Sequence, residues 1–159
     1  MDPHNLKQLL EIMEEMVGLE RALADLYQTC SEAFPEDTQF WLAIKHQEKH
    51  HAESIRKMAA LVLAYPHEFA LGRTFNATAI HTVKHGIIEH IDALKQHQIP
   101  RIKMLIIARD IENSVIEAHY RDLVKTSNIE FNNLVDQIDT QTMQHKNLLI
   151  KKIAASKQQ

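Results

Sequence analysis

The sequence predicts an all-α fold: four long helices packed as a bundle, with an additional helix in the crossover between the second and third bundle helices. Three observations carry this expectation. Only three Gly and four Pro among 159 residues leave little material for the tight turns of a strand-rich sandwich or barrel. A hydrophobic share of 45% beside 25% charged residues suits a chain that buries a core and excludes a disordered one. Apolar residues also recur in steps of three and four over stretches far longer than a strand. At this length the chain is expected to form a single domain over residues 1–159.

Each element has its own punctuation. Asp2 followed by Pro3 is a cap with proline at the first helical position, and Pro35 closes that segment, so the first helix is predicted from Pro3 to Ala33. The second is expected from about Asp37 to Tyr65, where Pro66 forbids continuation. The stretch from Pro66 to Thr74, with Gly72, reads as a connection. A crossover helix from about Asn76 to Gln96 carries Ile80, Val83, Ile87, Ile91 and Leu94 at helical spacing. Pro100 opens the third bundle helix, expected to reach about Lys125. Ser127 and Glu130 then have the Ser-x-x-Glu spacing of a capping box for the fourth, ending near Ala155, with a frayed tail from Ser156 to Gln159.

Charge and cysteine content narrow the function. With 18 basic against 21 acidic side chains and a formal net charge of -3, no basic field exists to hold a phosphate backbone, so nucleic acid is not an expected partner. The longest apolar run, Met58 to Tyr65, is far short of the ~20 residues that cross a bilayer. The opening residues lack a signal-peptide pattern. No membrane association and a cytoplasmic location are therefore expected. The single cysteine, Cys30, offers neither an internal disulfide nor a Cys-x-x-Cys metal site within this chain.

The four long helices share an anomaly. In the first, the inward series Leu6, Leu9, Met13, Met16, Glu20, Leu23, Tyr27 is interrupted by a carboxylate. In the second it is Trp41, Ile44, Glu48, His51, Ile55, Met58, Val62; in the third, Ile102, Leu105, Ala108, Glu112, Val115 or Ile116, His119, Leu123. The fourth reads Phe131, Val135, Ile138, Thr142, His145, Leu149. One Glu in an apolar stripe is ordinarily a residue that reaches past the edge to solvent. Four stripes broken at the same level are a different matter. Unpaired carboxylates buried together cost several kcal/mol each unless a cation sits between them. Glu48 and His51, three residues apart, lie on one helix face about 4.5 Å apart along the axis. Glu20, Glu48, His51, Glu112 and His145 thus form a candidate metal site. Its oxygen-rich ligation with imidazole suits iron or manganese better than a closed zinc site, although zinc remains open.

These residues resemble the ferritin-like carboxylate proteins, and within them the rubrerythrin-like group, in which two half-bundles each contribute a Glu on one helix and a Glu-x-x-His on the next. Leu19-Glu20-Arg21-Ala22-Leu23-Ala24-Asp25-Leu26-Tyr27 is similar to the family's first-helix signature, Glu48-Lys49-His50-His51-Ala52 to its second, and Ile111-Glu112 with Tyr120 to its third. The fourth departs: Thr142-Met143-Gln144-His145 stands where Glu-x-x-His is expected. Thr142 is a poor ligand for a hard cation, and Gln141 is a possible weak oxygen ligand. The resemblance implies a di-iron carboxylate centre with an oxidase, peroxidase or iron-handling role. Its partners would be metal ions and a separate electron donor, and a homodimer is left open. The alternative is a structural helical bundle with a decayed or mononuclear site and no turnover.

Four other histidines read as solvated. His81, His85 and Glu89 lie along the crossover helix away from its apolar stripe, and His46 and His50 flank the stripe of the second helix. Trp41 and Tyr27 are packing residues first and electron-transfer candidates second.

Overall fold

The computed structural model describes residues 1–73, 77–113 and 117–157, the last of these without the side chains of 117–119. It is mostly helical. Helix α1 spans Pro3–Ala33, with Asp2 accepting hydrogen bonds from the backbone N–H of His4 and Asn5. A short link through a 3-10 turn at Pro35–Asp37 folds helix α2, Thr38–Ala64, back along it. Strand β1, Phe69–Leu71, follows, then helix α3, Ala77–Lys95, which packs on α1 through Ile80 and Ile87. Helix α4 covers Arg101–Glu112, strand β2 Val124–Thr126 and helix α5 Ile129–Ser156. Helices α4 and α5 pack together, and α5 closes on α2.

The apolar stripes do the packing. Leu9, Met13 and Met16 below Glu20, and Leu23, Leu26 and Tyr27 above it, are fully buried, as are Trp41, Ile44, Ile55 and Met58 on α2 and Phe131, Val135, Ile138 and Leu149 on α5. At about 1.5–3 kcal/mol for each large apolar side chain removed from water, these layers hold the helices together on both sides of the polar level.

Three expectations about elements are corrected. The third bundle helix does not run to Lys125: α4 ends at Glu112, and a 3-10 segment, Glu117–Asp122, and β2 replace its second half. The connection after Pro66 is not plain coil, because β1 pairs antiparallel with β2 as Phe69 opposite Thr126, Ala70 opposite Lys125 and Leu71 opposite Val124. This pairing satisfies backbone groups that a helix through the same residues would have satisfied internally. Gly72 extends the contact, its N–H donating to the Leu123 carbonyl at 2.9 Å. A Cβ there would lie 2.2 Å from the Asp122 carbonyl oxygen, so no larger residue fits. Finally, α5 is capped by Asn128, whose Oδ1 accepts from Phe131 N–H at 2.9 Å, not by a box from Ser127. The readings placed on Thr74, Asn76, Val115, Ile116, the His119 side chain and Gln159 lie outside the described residues.

No helix among the described residues is long and apolar enough to cross a membrane.

Candidate metal centre

Glu20 on α1, Glu48 and His51 on α2, Glu112 at the end of α4 and His145 on α5 are all buried. They fall into two triads, Glu20–Glu48–His51 and Glu48–Glu112–His145, and within each triad one ligand atom per residue lies within 4.8 Å of the others. Glu48 belongs to both. Its Oε2 is 3.0 Å from His51 Nδ1, and its Oε1 is 3.0 Å from His145 Nδ1. Glu20 Oε2 approaches His51 Nδ1 at 3.5 Å, and Glu112 Oε1 approaches His145 Nδ1 at the same distance. The two imidazole rings stack with centroids 5.7 Å apart.

The surrounding contacts cross between the helix pairs. Tyr27, from α1, donates its hydroxyl to Glu112 Oε1 at 2.8 Å, while Tyr120 donates to Glu20 Oε1. Gln141, from α5, places Oε1 2.9 Å from His51 Nε2, and Gln47, from α2, places Oε1 against His145 Nε2. Each pair therefore holds the ligand groups of the other.

Four atoms of this set are left over. Glu20 Oε2, Glu48 Oε1, Glu112 Oε2 and His145 Nδ1 are buried without a hydrogen-bond partner among the described residues; the 3.0 Å approach of His145 to Glu48 lacks the alignment of a hydrogen bond. Such orphans are rare, because each unsatisfied buried group costs about 1–3 kcal/mol or more when charged. Here they converge on one place and are all oxygen or imidazole nitrogen, which is the donor chemistry that iron or manganese takes.

Electrostatics express the same crowding. Burial, then the charge of Glu112, pushes the Glu48 carboxyl up to about 7. Burial alone would lower His51, yet the carboxylates of Glu20 and Glu48 beside it push it up to about 11. For His145, burial is likewise outweighed by Glu112 and Glu48, and its pKa rises to about 9. Burial works to raise Glu20, but His51 holds it below the usual carboxylate range. Without an ion the imidazoles are protonated and act as the counter-charges.

All five residues singled out from the sequence are thus brought together. Thr142 lies at the same level on α5, nearly buried, with its Oγ1 unpartnered. Gln141, expected as a possible weak oxygen ligand, places its oxygen 2.9 Å from the outer nitrogen of His51. Sequence reasoning missed Gln47 and passed over Tyr120 and Tyr27 as hydrogen-bond donors to the opposite carboxylates. The internal repeat was the available signal, since Gln47-Glu48-x-x-His51 and Gln141-Thr142-x-x-His145 align residue for residue. His46, His50, His81 and His85 are exposed, as expected, and His85 pairs with Glu89 at 3.4 Å. Trp41 is buried and stacks on Tyr27 at 5.6 Å.

Comparison of the chain with protein-family models, with curated proteins and with solved structures finds no match.

Proposed function

We propose that this chain is a ferritin-like metal-binding protein whose Glu20, Glu48, His51, Glu112 and His145 hold divalent ions, iron foremost, between two helix pairs. The observation that supports the reading is the convergence of four orphaned buried donor atoms on two triads that share Glu48. Glu20, Glu48 and His51 would hold a first ion, and Glu112 and His145, with Glu48 between, a second. Bound iron would supply one-electron chemistry toward O2 or peroxide, with electrons from a separate donor. The protein's own part is positional: Tyr27 and Tyr120 fix the carboxylates of Glu112 and Glu20, and the apolar layers exclude water.

A second reading, a helical protein with a mononuclear or decayed site and no turnover, has its own support. Thr142 withholds a fourth carboxylate from the cluster, and the two imidazolium ions already offset most of the negative charge. Calorimetric titration of chelator-stripped protein with Mn(II), and with Fe(II) under argon, separates the two. The proposal expects at least one ion per chain with micromolar or tighter affinity. It fails if neither ion binds, and absence of Fe(II) oxidation on admitting air would leave the mononuclear reading.

A further inference from the structure

The two glutamines carry an inference that rests on the metal reading and deepens it. Gln47 and Gln141 occupy equivalent places one residue before Glu48 and Thr142, and each reaches across to the histidine of the other helix pair. Both present Oε1 to Nε2. An amide oxygen is only an acceptor, so the ring atom facing it must carry the proton. The other nitrogen, Nδ1, is the atom within 3.0–3.5 Å of the carboxylates at both histidines.

We propose that Gln47 and Gln141 are positioning residues that fix His145 and His51 as Nε2–H tautomers, turning both Nδ1 lone pairs toward the ion. A neutral imidazole has one donor and one acceptor nitrogen, and a metal needs the acceptor. Left to itself the ring places its proton on either atom. An outer acceptor keeps the proton on Nε2 when the ion takes the place of the one on Nδ1 and raises the basicity of the ligating nitrogen, and losing such a partner typically weakens metal binding about 10- to 100-fold. Because each acceptor comes from the opposite pair, the tautomer is set only when α1 and α2 are docked on α4 and α5. If the amide were turned, its NH2 would donate to Nε2, the ring proton would sit on Nδ1, and the ion would be shut out of the inner position.

Zn(II) is the probe, being diamagnetic. Nitrogen-15 spectra of the Zn(II)-loaded protein, with labelled histidine, should show His51 and His145 protonated at Nε2 and ligated at Nδ1. Gln141→Leu and Gln47→Leu should each lower Zn(II) and Mn(II) affinity by about 10- to 100-fold with helix content by circular dichroism retained, the metal-free melting temperature falling because a buried ring N–H loses its acceptor, and Gln141→Glu, which keeps an acceptor oxygen, should restore the affinity. Both Leu variants binding within twofold of the natural protein, or ligation through Nε2, overturns the inference. Should a Leu variant fail to fold, the tautomers of the natural protein decide alone. No uptake of Zn(II), Mn(II) or Fe(II) by the natural protein removes the metal reading and this inference with it. Tight uptake that is indifferent to both glutamines removes this inference only.

Discussion

The chain buries acidic groups in two places, and it treats them differently. At the turn between α1 and α2, Asp37 is buried against Arg101, whose guanidinium donates to both carboxylate oxygens at 2.5 and 3.0 Å, and against Lys152 Nζ at 2.8 Å. Arg101 also donates to Ser156 and faces Glu36 at 3.6 Å. Burial would raise Asp37, but the hydrogen bonds of Arg101 and Lys152 hold it below its usual range. The clasp ties the start of α4 and the end of α5 to the first turn, with permanent cations as counter-charges. The central cluster has three carboxylates, and among the described residues no Lys or Arg pairs with them. Imidazoles are the cations seen against them, and they can give up their protons. A structural acid is paired with a charge that cannot leave; a site keeps its counter-charge exchangeable.

The largest effect should come from breaking that exchange at its shared member. Glu48→Gln removes the one carboxylate common to both triads, and Mn(II) binding measured by calorimetry should fall below detection. The fold should not suffer. Two carboxylates facing two imidazolium ions are a balanced set, and the carboxyl lost is the one that burial and Glu112 make hardest to ionise. The metal-free melting temperature should therefore hold or rise, and helix content by circular dichroism should be unchanged. A collapse of the helical signal would show the cluster to be a second structural clasp.

Proton exchange makes the comparison quantitative. With pKa values pushed up to about 11 and about 9, His51 and His145 carry protons at neutral pH in the metal-free protein, and a first ion held by Glu20, Glu48 and His51 must displace the one on His51 together with whatever proton Glu48, pushed up to about 7, still holds. Affinity for that ion should rise with pH, by about two decades per unit below neutrality and about one decade per unit above it, once Glu48 has ionised. Calorimetry in buffers of different ionisation enthalpy should count between about one and two protons released per first ion at neutral pH. An affinity independent of pH would mean that the histidines are not ligands.

The clasp should respond to substitution in the opposite sense to Glu48. Asp37→Asn removes charge-assisted bonds worth roughly 1.5–3 kcal/mol each when buried, but Arg101 and Lys152 keep about a quarter of their side chains in water and can rehydrate. A net loss of about 2 kcal/mol is expected in urea unfolding, with metal affinity untouched. Because the folded carboxyl titrates below the unfolded one, the stability it adds is present above the unfolded pKa and is lost as pH falls through the folded value. The difference between natural and Asn proteins should therefore shrink in acid.

Helix starts were legible because their causes are local: Pro3, Pro35, Pro66 and Pro100 each mark a boundary within a residue or two. The five site residues were legible because a polar side chain in an apolar stripe has a penalty that four helices do not incur together by chance. The end of α4 was not, since the apolar spacing runs on past Glu112, and the pairing of Val124–Thr126 with a strand more than fifty residues earlier is not written in the local pattern. Strand propensity is weak evidence without knowledge of the partner. The Tyr27–Glu112 and Gln141–His51 contacts are long-range in the same way, and only the repeat hinted at them.

The smallest change concerns the departed ligand, and it tests how far the charge argument reaches. With all three carboxylates ionised, two imidazolium ions leave one negative charge; one divalent ion in place of the His51 proton, with His145 still an imidazolium, leaves none, so the first exchange moves the core toward neutrality. A second divalent ion would leave an excess positive charge in a buried place, which is expensive. Thr142 is the reason, because a carboxylate in its position would restore balance with two ions. The natural protein should therefore take up one ion tightly, with the second weak. Thr142→Glu should bind two. Helix propensity does not oppose the change, since Glu is at least as good as Thr in a helix interior. Thr142 is 8% exposed and its hydroxyl has no hydrogen-bond partner among the described residues, so its replacement breaks no hydrogen bond seen there. Calorimetry and metal analysis after gel filtration read the stoichiometry, and the rate of Fe(II) oxidation in air should rise with it. Two tight ions in the natural protein would show that hydroxide or another small anion beside Thr142 already supplies the missing charge.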